Sequence, residues 1–395
     1  MAFRTLVAGP AAGGAFWNDR RFRGLLAQAF VMGLLGLLIY FLVSNTVYNL
    51  EQRNIATGFW FLTQPAGFEI QMTLIPYSAE STHGRVFLVG LLNTLLISIV
   101  GCIFATILGF FLGVLRLSGN WLLEKIIYWF VEFTRNVPLL LQIIFWYTVF
   151  LGLPHVRDSI QLGENFYLNN RGLFAPAPVL GEAFWMVAVG FVVAIVAAWM
   201  VARWARKRQA ATGQIFPAFW AGLGLIVLVP LAVFYATGAP LDWQYAERTR
   251  FSLRGGMQVG PEFVAMLLAL TLYTAAFISE IVRAGILSVH KGQREAAAAL
   301  GLRQSWIMRL IIVPQALRVI IPPLASQYMN LTKNSSLGFA IGYGELMAVF
   351  GGISLNQTGQ AIECMAITMA TYLLISLGIS AFMNWYNAHV RLVER

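Results

Sequence analysis

Apolar and polar positions divide the 395-residue chain into eight long apolar runs separated by polar segments. They cover 25–46, 86–115, 125–151, 183–201, 215–237, 261–286, 310–331 and 362–388. An α-helix needs about 20 consecutive apolar residues to cross the hydrocarbon of a bilayer. The expected fold class is therefore all-α, a polytopic membrane protein with about eight transmembrane helices. The second run is long enough to tilt. It carries Asn93, Thr94 and a Gly109–Gly113 pair at the spacing that lets two helices approach. In the third, Glu132 and Arg135 stand three apart on one helix face, where they form a structural pair, and Pro138 breaks the ladder beyond them. In the seventh, Pro314, Pro322 and Pro323 remove backbone donors and bend the helix.

The polar segments differ in character. Residues 1–24 are Gly/Ala-rich and basic and are expected on the membrane surface; 47–84 hold Trp60, Phe61 and Phe68, a set that suits a small interfacial cap. Residues 151–182 include the turn-like FAPAP at 174–178, with no strand-rich domain expected, and 202–209 read ARWARKRQ, the densest basic cluster. That cluster reads as an orientation determinant, with anionic-lipid binding the lesser use.

Composition agrees: 58% of residues are hydrophobic and 11% charged, and the mean hydropathy is +0.70. A net charge of +10 raises nucleic acid as a partner, but the basic residues sit at the ends of apolar runs, as membrane orientation requires. Sixteen Lys and Arg fall in the loops on the side of the N-terminus and seven in the others, which puts both termini in the cytoplasm. Cys102 and Cys364 lie inside apolar runs, so neither a disulfide framework nor a thiolate metal site is supported. There is no GxxxxGK[ST] phosphate loop, no nucleophile elbow, and no metal spacing among the four scattered histidines. No ATP site, metal, cofactor or covalent catalysis is expected in this chain, nor nucleic-acid binding.

The most distinctive stretch joins runs six and seven. Glu295 is read near the start of a short helix, where its charge suits the dipole. Ala296, Ala297, Ala298 and Ala299 are strong helix formers with little bulk, and Gly301 is suited to a left-handed stop. Arg294 and Arg303 flank the helix, with Lys291 and Arg309 further out. Such a knob fits a groove on another protein; an alanine-rich turn that docks nowhere carries equal weight on physics alone. On either side lie polar groups in or beside apolar runs: Glu280, Arg283, Asn330, Lys333, Asn334, Ser335 and Ser336, with Asn93 and Thr274 as further candidates. Ionisable groups in a membrane are costly and face a bundle interior or a pathway. Glu280 and Arg283 read equally as a structural pair or as pathway residues. Glu280 with the Lys333–Ser336 stretch offers both acceptors for an ammonium and donors for a carboxylate.

GQREAAAALGLRQSWIMRLIIVPQALRVIIPPL, at 292–324, resembles the EAA loop of the inner-membrane permeases of ABC importers. It keeps E-A-A, three residues, G, nine residues and I-x-[LV]-P, with Val313 where Leu is usual. SEIVRAGI, LTKNSSL, GLLNTLLIS and VEFTRNVPLLLQ resemble the polar amino-acid uptake branch, with Asn334 where an acidic residue is common. The resemblance covers about 86–150 and 260–390. It implies a type I permease core in two parts, 86–150 and 260–395, plus an N-terminal segment (1–85) with an extra helix and periplasmic cap, and an insertion (151–259) bearing a helix pair. This enlarged layout is similar to permease subunits of general L-amino-acid or glutamate/glutamine-type importers of Gram-negative bacteria. The resemblance implies a second permease, two cytoplasmic ATPases that hold ATP and Mg, and a periplasmic binding protein. It also implies a coupling role for Glu295, Ala296, Ala297, Gly301, Arg294, Arg303 and Pro314. Two rivals make other demands: an ion-coupled secondary transporter usually has two related halves, and no repeat is evident, while a non-transporting scaffold would tolerate apolar replacement of the intramembrane charges.

Overall fold

A computed structural model describes residues 20–52, 57–249 and 252–390. The segment before residue 20 and the orienting residues Arg4, Arg53, Arg250, Arg391 and Arg395 lie outside them. The chain belongs to the helical class. Helix α1 (Arg20–Gln52) is exposed along nearly all of its described side chains. Residues 57–82 then fold as a cap: Phe61, in a short 3-10 turn, is buried with Leu346, Phe350 and Cys364, and Ala66 and Ile70 pack on Val86 and Val89.

The core is built on α2 (His83–Leu115) and, later in the chain, a helix over Pro261–Leu287. Gly109 and Gly113 explain their contact. A Cβ on Gly109 would lie 2.6 Å from Cβ of Ile278, and one on Gly113 would lie 2.8 Å from the carbonyl oxygen of Ser279. The small residues set the interhelical distance.

Seven helices among the described residues are long and apolar enough to cross a membrane. The run expected as an eighth, 125–151, is two helices, α3 (Trp121–Asn136) and α4 (Leu139–Leu151). The reason is Pro138: the residue before a proline is pushed out of the α region, and Val137 sits at ψ 128°. Gln142 then folds back to donate to the carbonyls of Thr134 and Val137, closing the break.

The expectation of a polar connection without sheet is also corrected. Strands β1 (Ile160–Leu162), β2 (Phe166–Asn169), β3 (Gly172–Ala175) and β4 (Ala177–Leu180) precede α5 (Phe184–Thr212) and α6 (Ala218–Ala236). Strands β5 (Leu241–Gln244), β6 (Glu247–Arg248), β7 (Leu253–Arg254) and β8 (Met257–Val259) follow them. They form an antiparallel sheet β1-β2-β3-β8 and the pairs β4-β5 and β6-β7. FAPAP is not a turn but the junction of β3 and β4; Pro178 is tolerated because its strand belongs to a two-stranded ribbon. Val156, Phe174, Ala246 and Leu253 give the strands a small core of their own. Helices α5 and α6 pack chiefly on each other and present exposed apolar faces elsewhere.

Helix α7 (Pro261–Leu287) leads to α8 (Lys291–Ala299) and α9 (Gln304–Ile307), then through a π-helical turn, Met308–Ile312, to α10 (Val313–Asn334). Gly285 of α7 abuts Ile320 of α10. After α10 the chain runs through a 3-10 segment, Ser335–Ile341, α11 (Leu346–Ala348), a second π-helical turn, Val349–Ser354, and α12 (Leu355–Thr358). This stretch packs on α2 before α13 (Ala361–Val390) completes the bundle. The loop α8–α9 lies at one end of the bundle, and the strands lie at the other.

Candidate functional site: a connecting knob and a polar helix face

At the loop end, His290 caps α8: its Nδ1 accepts from the backbone N–H of Gly292 at 3.1 Å. The helix thus starts at Lys291, four residues before Glu295. Glu295 is mid-helix, so the dipole reading for it is corrected. Gly301 ends the knob at φ +75°, the left-handed conformation its residue type favours. Ala297 is 3% exposed and packs with Ile307 and Ile312, so it welds the loop together from within. Glu295, Ala296, Ala298, Leu300 and Trp306 remain exposed beside it. Arg294 donates to the Gln304 side-chain carbonyl, tying α8 to α9, and Arg303 sits at the N-cap of α9. Pro314 follows directly on the π-helical turn that leads into α10, and Pro322 and Pro323 lie further along the helix.

Above the loop, Glu280 is fully engaged. One carboxylate oxygen accepts from Arg283, at 2.6 Å from Nη2, and the other accepts from Arg116, the C-cap residue of α2. The Arg116 guanidinium is buried over the Tyr128 ring of α3, 5.1 Å from its centroid. The group ties α2, α3 and α7 together. The abutment of Gly285 and Ile320 puts Lys333 on the order of 10 Å further along the bundle than Glu280, at 1.5 Å rise per residue. The expected partnership of Glu280 with the Lys333–Ser336 stretch is corrected: Glu280 lies in a separate ion cluster, with Arg116 and Arg283 on its two oxygens. Glu132 and Arg135 are 4.0 Å apart, with the guanidinium over Phe277.

The sequence places Asn330 and Lys333 on α10, and the structure puts both on its exposed face. Pro322, Ser326, Asn330 and Lys333 follow at three- and four-residue steps, forming one stripe. Lys333 and Ser336 also line a cavity of about 540 Å³ with Thr368, Tyr372 and Ser376 of α13. Among the described ion pairs none involves Lys333. An exposed ammonium on a membrane-crossing helix marks a water-filled path or a subunit seam. Ser336 donates to the carbonyl of Lys333, Asn334 is half-buried, and Ser335 is buried and donates to the carbonyl of Thr332. Thr274 and Asn93 stand apart from this cavity, in the packed interior. Asn93 is fully buried: its Nδ2 donates to the carbonyls of Met72, 2.9 Å, and Gly344, 2.7 Å. It stitches the cap to α2 and the stretch after α10.

One buried acid escaped the sequence reading. Glu345 is 0% exposed and accepts from the N–H groups of Met347 and Ala348 and from the Tyr372 hydroxyl, all at 2.7 Å. Its signal was a lone carboxylate preceding a short apolar helix, the position of a cap. It fixes Tyr372, a wall of the Lys333 cavity.

A profile of the family "Binding-protein-dependent transport system inner membrane component" matches residues 190–392. The chain is 51% identical over 378 residues to the "General L-amino acid transport system permease protein AapQ" of Rhizobium johnstonii, covering 95% of this chain and 94% of that one. It is 48% identical over 372 residues to the "Putative amino-acid ABC transporter permease protein YhdX" of Escherichia coli, covering 94% of each. It is 44% identical over 410 residues to the "Glutamate/glutamine/aspartate/asparagine transport system permease protein BztB" of Rhodobacter capsulatus, covering 95% and 96%.

Proposed function

The chain belongs to the family of inner membrane components of binding-protein-dependent transport systems, and from that premise we propose that it carries L-amino acids across the membrane. It is a transporter subunit rather than an enzyme, and the hydrolysis that drives it resides on ATPase partners. The observation that carries the reading is the stripe of Ser326, Asn330 and Lys333 on α10, running into the Lys333 cavity. It supplies a cation in no ion pair among the described residues, with small hydroxyls, on the exposed face of a helix whose other face packs in the bundle. Lys333 meets the substrate carboxylate, with Ser336, Asn334 and the α13 hydroxyls beside it. The names of relatives matched along nearly their whole length support the substrate class.

In this proposal a second, similar permease faces the α10–α13 side, so that two stripes enclose one path. Two ATPase subunits, holding ATP and Mg, dock on the exposed side of the loop through Glu295, Ala296, Leu300 and Trp306. Arg294, Arg303, Ala297, Gly301 and Pro314 hold that side in shape. The loop end faces the cytoplasm with both termini, as the basic residues direct, and the strand end receives the binding protein. ATP-driven closure of the ATPases pushes α8, and the ion cluster of Glu280, Arg283 and Arg116 transmits the push to α7 and α2.

The test is reconstitution. This chain co-purified with its ATPase and a second permease is expected to take up labelled L-amino acids in proteoliposomes only with ATP and binding protein. Lys333→Met is expected to abolish uptake while leaving assembly intact. Transport without an ATPase, driven by an ion gradient, would favour a secondary transporter, and wild-type uptake by Lys333→Met would remove the pathway assignment.

A further inference from the structure

The strand end holds a second polar cavity, of about 630 Å³, that the transport path above does not use. Its wall is drawn chiefly from the cap, the β2–β3 turn, the start of α7 and the stretch after α10. The cap brings Glu69, the β2–β3 turn brings Asn170 and Arg171, and the first turn of α7 brings Glu262. Phe263 and Tyr343, whose rings are 5.8 Å apart, form an aromatic side. Two of these parts are the segments that the sequence adds to the core.

The chemistry of the wall is specific. Arg171 is in none of the described ion pairs, and neither are Glu69 and Glu262. Glu69 accepts only from the Ala79 N–H, at 3.2 Å, and Glu262 from the Tyr147 hydroxyl, at 3.4 Å, so each carboxylate keeps acceptor capacity. A guanidinium, two carboxylates and an apolar flank gathered around one cavity are complementary to a zwitterion with a side chain. The volume is in the range of small-ligand sites, roughly 300–1,000 Å³.

We propose that this cavity is an outer subsite for a zwitterionic α-amino acid, with Arg171 on its carboxylate and Glu69 and Glu262 on its ammonium. The assignment rests on the amino-acid reading of the path. It gives the cap and the insertion one role between them, which is to hold substrate after its release from the binding protein and before its entry to the Lys333 path.

The experiment uses the complete transporter in lipid nanodiscs without binding protein. An environment-sensitive dye is attached at Gln71→Cys, on the cavity wall, in a chain bearing Cys102→Ala and Cys364→Ala. L-alanine and L-glutamate are expected to give a saturable signal, whereas propionate, which lacks the ammonium, and ethylamine, which lacks the carboxylate, are not. Arg171→Ala and Glu262→Gln are each expected to shift the midpoint upward about tenfold, as loss of one charge-assisted hydrogen bond predicts, with partial recovery in Arg171→Lys. No saturable signal in the parent, equal responses to propionate or ethylamine, or midpoints unchanged in both variants would overturn the proposal. A signal that appears only on adding binding protein would overturn it too, because the cavity would then be a docking surface. ATP-dependent uptake by the parent, measured in parallel, separates the two readings: a silent cavity with intact uptake removes the subsite alone.

Discussion

At the scale of single residues, Glu345 is the most consequential side chain outside the α8–α9 loop and the α10 stripe. Three donors converge on a carboxylate with no exposed surface, and removing it leaves two backbone N–H groups and the Tyr372 hydroxyl unmet. Each stranded buried donor costs about 1–3 kcal/mol. Glu345→Ala is therefore expected to lower the thermal unfolding midpoint of the detergent-solubilised protein markedly. Tyr372→Phe, which removes one donor of the three, is expected to lower it less. The double variant should resemble Glu345→Ala alone, because the two side chains share one bond; strictly additive losses would show that they act separately. Gly109 makes a second case. With Ile278 2.6 Å from the position of any Cβ, Gly109→Leu is expected to separate α2 from α7 and abolish folded yield in a size-exclusion profile. Gly24→Leu, in open space, is the matched control and should elute as the parent does.

At the scale of elements, the loop α8–α9 separates packing from docking. Ala297 is turned into the contact with Ile307 and Ile312, whereas Ala296 is exposed one residue away. Ala297→Asp buries an unpaired carboxylate and is expected to open the loop, read as rapid protease cleavage between α7 and α10. Ala296→Asp is expected to leave the loop protease-resistant while reducing the ATPase recovered on co-purification; equal behaviour of the two variants would refute the division. The contrast also marks what was legible. Periodicity and alanine content located the knob, and Gly301 located its end, because those are local properties. The helix start was misplaced because the cap is His290, a residue type with no strong capping preference. Spans were legible as runs of apolar residues, but Pro138 split one of them. The strands were hidden because each is at most four residues long and is held by partners as distant as 86 positions, Leu173 with Val259 in β3 and β8. Glu280 read equally as a pathway acid or half of a structural pair because its second partner, Arg116, is distant in sequence and reaches it only through the α2–α7 contact.

At the scale of the whole molecule, the strands decide which parts are separable. Helices α5 and α6 leave and return through the ribbon β4–β5, where Leu180 pairs with Leu241 and the N–H of Gly181 donates to the carbonyl of Pro240 at 3.1 Å. The entry and exit of the hairpin are thus already neighbours, and a Cβ on Gly181 would sit 3.2 Å from that of Pro240. Removing residues 182–239 and joining Gly181 to Pro240 through a short Gly-Ser linker closes a gap that the fold has nearly closed itself. Because two membrane crossings are removed together, the direction of α7 and of every later helix is preserved. The path proposed on α10 and α13, the loop α8–α9 and the cavity at Arg171 all lie outside the excised segment. The shortened chain is expected to assemble with its ATPase and to support ATP-dependent uptake close to that of the parent in the same proteoliposomes. Uptake lost despite normal assembly would mean that the hairpin belongs to the transport machinery itself, packed against the path by a partner subunit rather than by lipid.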